Sequence, residues 1–209
     1  MPVRAVVFDF NGTLSDDEPI LLRIYQELFA EHGRPLTAAE YYAELSGLSE
    51  EEIIGRWLGR VDDALIAERI SRYRELVSGG DTVYPEVRAA VRYAAERVPV
   101  AVCSGAFLEE IEPVVAAAGL APFVTTIVTA DHVQHGKPHP EGYLRTAELL
   151  GVPPTEVVAF EDTEAGVASA RAAGARVVGI TRTLGPERLA AADELVERID
   201  LALLERILA

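Results

Sequence analysis

The sequence predicts an α/β protein: a Rossmann-like parallel sheet with helices on both faces and a small helical bundle inserted after the first strand. Three observations carry this. The chain opens on an apolar run rich in β-branched residues, Val3 to Phe8, that ends in Asp9 and a turn at Gly12. Residues 15–80 then carry helical signals alone. Beyond them, short apolar runs alternate with helical stretches, the rhythm of βαβ units. The bundle therefore separates strand one from the rest of its sheet. The expected division is a core of residues 1–14 and 83–209 and an inserted domain of 15–82, with linkers near Ser15 to Glu18 and Gly79 to Tyr84.

Each element has its own signal. Ser15-Asp16-Asp17-Glu18-Pro19 holds the cap types, early acids and early proline that open a helix. Ile20, Leu21, Ile24, Leu28 and Phe29 continue it at helical spacing until Gly33-Arg34-Pro35. Thr37 opens a second helix through Leu45. Ser49, with Glu52 three residues on, makes a capping box for a third through Leu58. Asp62 or Asp63 opens a fourth that runs to Val77 and ends at Gly79-Gly80. Then come a helix at Glu86 to Arg97, a strand at Val98 to Cys103, a helix at Leu108 to Ala118 and a strand at Val124 to Val128. A helix at Glu141 to Leu150, a strand at Val157 to Phe160 and a helix at Thr163 to Ala173 follow, then a strand at Val177 to Ile180. Leu195-Val196 is a candidate edge strand before a last helix at Leu201 to Leu208.

Composition narrows the function classes. The chain has 209 residues, 49% apolar and 25% charged, enough for a good core. A net charge of −15 argues against nucleic acid or an anionic membrane as partner, since either wants a basic patch. An anionic substrate must therefore be drawn in by local charges. A single Cys103 excludes an internal disulfide and fits a reducing cytoplasm; in VAVCSG it reads as a small buried hydrophobe. We expect no signal peptide, because Arg4 is followed at once by the acidic turn, and no apolar run reaches the ~18 residues of a membrane helix.

Four pieces fall at successive strand ends, which share one rim of a parallel sheet. Asp9 is a candidate nucleophile: a carboxylate can form an aspartyl phosphate and split one hard step into two. A turn-capping role is the plainer alternative. Lys137, in HGKPHP between Pro138 and Pro140, offers a presented ammonium for a phosphate and for Asp9, or else a solvated surface lysine. Ser104-Gly105 offers a hydroxyl and N–H groups for phosphate oxygens, or a simple turn. Adjacent Glu161 and Asp162 repel unless a cation holds them, although Asp162 can instead cap the next helix.

These residues resemble the haloacid dehalogenase superfamily, in its helical-cap branch of β-phosphoglucomutase-like and phosphoglycolate-phosphatase-like enzymes. FDFNGTLSDDEP is similar to the first family motif, CSG to the second, GKPHPEGY to the third and FEDTEAGVASARAAG to the acidic fourth. The resemblance implies Asp9 as nucleophile, Ser104 and Lys137 on the phosphoryl oxygens, and Mg²⁺ held by Asp9, the backbone carbonyl of Asn11, Asp162 and Glu161. It also implies that residues 15–82 form a cap over the substrate, a small phosphorylated metabolite.

One departure stands out. Asn11 occupies the place of the family's second aspartate, the acid/base. General acid–base catalysis is worth ~10²–10⁴-fold, roughly 3–5 kcal/mol of barrier. Three outcomes follow: substrates with good leaving groups such as acyl phosphates; another proton donor, from His135, Asp16, Asp17 or Glu18; or a slow, ligand-binding protein. Asn11 counts against a sugar-phosphate mutase, and the acids at 161 and 162 count against a metal-free dehalogenase. Phosphonate hydrolysis needs a cap lysine, and residues 15–82 contain none. His32, His132, His135 and His139 are read as loop residues without a shared metal, Arg56 and Arg60 as a solvated helix face, and Trp57 as cap core. The expected activity is a Mg²⁺-dependent phosphatase.

Overall fold

The computed structural model describes residues 2–209; Met1, the first residue of the expected core segment, lies outside them. β1 (Ala5–Phe8), β2 (Val100–Cys103), β3 (Thr126–Val128), β4 (Val157–Glu161), β5 (Arg176–Ile180) and β6 (Glu194–Val196) form one sheet. All pairings are parallel, in the order β3-β2-β1-β4-β5-β6. The candidate strand at 195–196 does form the edge.

Successive strand residues face opposite sides, so each strand feeds two cores. Val6, Phe8, Val102, Phe160 and Ile180 pack against α5 (Pro85–Ala95), α6 (Leu108–Ala117) and α9 (Leu201–Leu208). Ala5, Val7, Cys103, Ala159 and Val177 pack against α7 (Glu141–Leu150) and α8 (Glu164–Ala173). Near-continuous apolar strands are what two covered faces require.

Between β1 and α5 lie α1 (Glu18–Glu31), α2 (Ala38–Glu40), α3 (Glu50–Leu58) and α4 (Asp63–Val77). Both capping boxes, Thr37 with Glu40 and Ser49 with Glu52, are formed, and Asp62 caps α4. The single helix expected over 37–45 is instead one α-turn followed by a wider π-helical turn, Tyr41–Leu45, in which the Ser46 N–H reaches the Tyr41 carbonyl at 2.9 Å. That turn buries both Tyr41 and Leu45 in a third apolar cluster built from Tyr25, Phe29, Ile54, Trp57 and Ile70. Trp57 is core, as expected.

The inserted helices are also rooted in the sheet: Leu21 and Ile24 of α1 and Tyr73 and Val77 of α4 belong to its core. The two linkers run side by side, with the Asp16 N–H on the Thr82 carbonyl at 2.8 Å and the Ser15 hydroxyl on Thr82 Oγ1 at 2.7 Å. On α4, Arg69 is 1% exposed and grips Glu50 of α3 and Glu110 of α6, tying bundle to sheet helix. Removing one partner of a buried ion network leaves the others uncompensated. We expect Arg69→Ala to lower unfolding free energy by about 3–5 kcal/mol in urea titration. Among the described residues, no helix is long and apolar enough to cross a membrane.

Candidate active site

The chain leaves β1 outward to β2 and β3, then returns to the other side of β1 with β4. This makes a switch point, where parallel sheets open a crevice at their carboxyl ends. Register sets the site: Phe8 pairs with Val102 on one side and Phe160 on the other. Asp9, Cys103 and Glu161 therefore end three adjacent strands at one level. Lys137, from the loop between β3 and α7, joins them. Its Nζ donates to Asp9 Oδ1 at 2.5 Å and to the Cys103 carbonyl at 3.0 Å, and pairs with Glu161 Oε1 at 2.6 Å. It is the chain's one lysine. Burial works against its charge, but Asp9 and Glu161 outweigh burial and hold it protonated, above the ordinary lysine range. Tyr143, which the sequence reading did not single out, donates to Glu161 Oε1 at 2.6 Å and fixes that carboxylate. Burial pushes the Cys103 thiol up to about 12, so it is inert, as expected of a buried hydrophobe.

The donor set fits a hard divalent cation. Oxygens of Asp9, Glu161 and Asp162, all buried, lie within 4.8 Å of one another. Three carboxylates face one ammonium, and two of their oxygens, Asp162 Oδ2 and Glu161 Oε2, are buried with no hydrogen-bond partner. Such orphans are costly unless a ligand takes them. Burial, then the charges of Asp9, Glu18 and Glu161, push Asp162 well above the usual carboxylate range. Burial pushes Glu161 up to about 7, against the pull of Lys137. A bound cation relieves both.

Asp162 does not cap α8. Thr163 does, accepting from the Gly166 N–H at 3.1 Å, which leaves Asp162 free; its Oδ1 accepts from the Thr13 hydroxyl at 3.2 Å. Asp9 and Glu161 are each committed on one oxygen, to Lys137 and, for Glu161, also to Tyr143, so each keeps its other oxygen for an ion beside Asp162. The Asn11 side-chain nitrogen turns to Asp17, donating to its Oδ2 at 3.1 Å, while the Asn11 backbone carbonyl stands as a candidate donor to an ion. Ser104, 7% exposed, sits just past β2, with its Oγ accepting from the Ala106 N–H; Gly105 is exposed beside it.

Gly12 makes this geometry possible. Its φ is +71°, and a Cβ there would stand 1.9 Å from Asp162 Oδ2. Left-handed backbone costs a side chain about 1–2 kcal/mol before any clash. We expect Gly12→Ala to weaken divalent-cation affinity about tenfold or more, read by calorimetric titration.

A second group of acids borders the site. Asp17 is enclosed, receiving Tyr73 OH at 2.5 Å, the Gly12 N–H at 3.2 Å and Asn11; burial raises it to about 6. Glu18 is 8% exposed and takes a single hydrogen bond, from Tyr41 OH at 3.2 Å. Asp16 is bound to Arg182 and Tyr84. Neither Tyr41 nor Tyr73 was singled out from the sequence. Arg56 and Arg60 behave as a surface face, on the Glu44 carbonyl and Asp62.

His135 and His139, read from the sequence as loop residues without a shared metal, lie with Glu141 in a group that could hold one. The flanking prolines exclude a helix, as anticipated, but a turn from Gly136 to His139 brings the two rings within 4.7 Å, tilted by 38°.

The fold is a Rossmann-like parallel sheet, and the acids and lysine at its carboxyl rim suit a metal-dependent hydrolase. The chain belongs to the haloacid dehalogenase-like hydrolase family, whose model matches residues 3–174. It is 30% identical over 199 residues to validoxylamine A 7'-phosphate phosphatase of Streptomyces hygroscopicus subsp. limoneus, covering 93% of both chains. It is 31% identical to fructose-1-phosphate phosphatase YqaB of Escherichia coli, covering 84% of this chain and 95% of that one. A mutant of CbbY from Rhodobacter sphaeroides, in complex with xylulose-(1,5)bisphosphate, superposes with a TM-score of 0.84 at 26% identity over 94% of each chain.

Proposed function

We propose that this protein is a Mg²⁺-dependent phosphatase of a small phosphorylated metabolite, working through an aspartyl phosphate on Asp9. The observation that carries it is the Lys137 ammonium 2.5 Å from Asp9 Oδ1, beside the orphaned oxygen of Asp162. Relatives that are phosphatases of fructose 1-phosphate and validoxylamine A 7'-phosphate support a sugar- or polyol-phosphate substrate. Asp9, Asp162 and the Asn11 carbonyl would hold the Mg²⁺, which supplies positive charge for the phosphoryl oxygens. Asp9 attacks phosphorus with one oxygen. Lys137 and the Ser104 hydroxyl take phosphoryl oxygens, and Glu161 and Tyr143 keep the lysine placed. The leaving oxygen takes a proton, and water then splits the acyl phosphate. The inserted helices 15–82 act as a cap that excludes bulk water, and the buried single Cys103 suits a reducing cytoplasm.

The proton comes from Glu18. Of the donors the sequence offered, Asp16 is held by Arg182, Asp17 is enclosed by three hydrogen bonds, and His135 is exposed on Glu141. Glu18 is buried near Asp9 and Asp162 with one hydrogen bond and no cationic partner, and burial, then Asp17, pushes it up to about 8. At neutral pH it carries a proton to give. Asn11 is fitted to this arrangement: an aspartate there would press a second carboxylate on Asp17.

Phosphate release from p-nitrophenyl phosphate, acetyl phosphate and fructose 1-phosphate, with and without Mg²⁺, tests the reading. Mg²⁺-dependent release supports it. Binding of phosphate with no release from any of the three replaces it with a ligand-binding role.

A further inference from the structure

We propose a second metal site, for a transition ion such as Zn²⁺, Ni²⁺ or Co²⁺, formed by His135, His139 and Glu141 on the loop that carries Lys137. It is separate from the acid cluster and independent of the phosphatase reading.

The ligand chemistry comes first. Two imidazoles and one carboxylate suit borderline transition ions, whereas an all-oxygen cluster suits Mg²⁺. One ligand atom from each of the three residues lies within 4.8 Å of the others. His135 Nδ1 is 2.9 Å from Glu141 Oε2 and His139 Nδ1 is 3.9 Å from it. Zinc–ligand bonds of about 2.0–2.1 Å in a tetrahedron set ligand–ligand edges of about 3.3 Å, which these two separations bracket.

The site is also held in shape. Glu141 Oε1 accepts from the Gln134 N–H at 2.8 Å and Oε2 from the His135 N–H at 3.1 Å. The turn is closed by the His139 N–H on the Gly136 carbonyl at 3.0 Å, and Pro138 and Pro140 limit what the loop loses in entropy when an ion binds. Ordered backbone amides on Glu141 serve as the outer-shell partners that orient a ligand. Both imidazoles are exposed, so an ion has a path in and water can complete its coordination. His135 and His139 lie two residues either side of Lys137, so an occupied site ties the loop down on both sides of the active-site ammonium.

The test uses the untagged full-length protein in saturating Mg²⁺, which fills the acid cluster, with Zn²⁺ as titrant in a calorimeter and Co²⁺ as a spectroscopic probe. We expect one equivalent of Zn²⁺ to bind and Co²⁺ to show d–d bands of a low-coordinate nitrogen and oxygen site. His135→Ala and His139→Ala should each cost about 100-fold or more in affinity, beyond the 10–100-fold that outer-shell partners are worth. Circular dichroism should show both variants folded, since both side chains are exposed. Absence of any Zn²⁺ uptake above the Mg²⁺-filled site, or uptake that the histidine variants retain, would overturn the proposal.

Discussion

Asp9→Asn is expected to abolish phosphate release, by roughly 10⁶-fold, the scale on which losing a covalent nucleophile costs an enzyme. The amide keeps nearly the volume and shape of the carboxylate, so packing at the end of β1 is preserved. Lys137 keeps its second carboxylate, Glu161, at 2.6 Å and its bond to the Cys103 carbonyl, so the lysine is not left unpaired. The variant should therefore fold and still bind phosphate weakly. Two readouts separate chemistry from structure. Quenching the wild-type reaction in acid should trap one base-labile phosphate per chain, and the variant should trap none. Because Lys137 is the chain's one lysine, its reaction with an amine-directed reagent also reports the site itself, and phosphate should protect it in both proteins. Turnover that survives Asp9→Asn would remove Asp9 as nucleophile.

Glu18→Gln is the second large effect. Loss of a general acid costs about 10²–10⁴-fold, and only where the leaving oxygen needs the proton. We expect that loss in kcat on fructose 1-phosphate and little change on acetyl phosphate or p-nitrophenyl phosphate, whose leaving groups depart as anions. The wild-type rate on the alkyl phosphate should fall above about pH 8 as Glu18 ionises, and the variant should lack that limb. The groups facing Glu18 are acids or tyrosine: Asp17, Asp9, Glu50, Asp162 and Tyr41, which is why burial is not offset. The same shift has a stability sign. The folded carboxyl binds its proton more tightly than the free side chain, whose pKa is about 4.3. Stability therefore falls as pH rises from about 4.3 to about 8, and the Glu18→Gln change removes that slope. Asn11→Asp should bring no gain on alkyl phosphates if Glu18 supplies the proton. Equal losses on all three substrates would reduce Glu18 to a structural role.

Much of the site was legible because chemistry and topology coincide in the sequence. Asp9, Ser104 and Glu161-Asp162 each follow an apolar strand run, and strand ends of a parallel sheet share a rim. Lys137 was legible from its stiff, polar loop. The bundle's caps were legible at Thr37 and Ser49, where a short side chain and an acid three residues on satisfy local amides without help from afar, and at the Asp62-Asp63 pair, of which Asp62 takes the amides of Ala64 and Leu65. Asp162 was ambiguous because Asp162 and Thr163 both suit a helix start; only the bond from the Gly166 N–H to Thr163 decides between them. Tyr41, Tyr73 and Tyr143 were not legible, since an aromatic at helical spacing looks the same whether its hydroxyl meets water or a carboxylate.

The sequence by itself determined the parallel sheet, the inserted helices, the family and the acids and lysine of the rim, because strand period, helix caps and motif spacing are local properties. Tertiary structure alone decided how each acid is enclosed. Asp17 and Glu18 are adjacent in the chain, yet one is closed in by Asn11, Gly12 and Tyr73 and the other is left with Tyr41 alone. It alone decided, too, that two histidines in a proline-broken loop meet one glutamate. Burial and partners from distant segments set both, and neither is written in any short stretch of the chain.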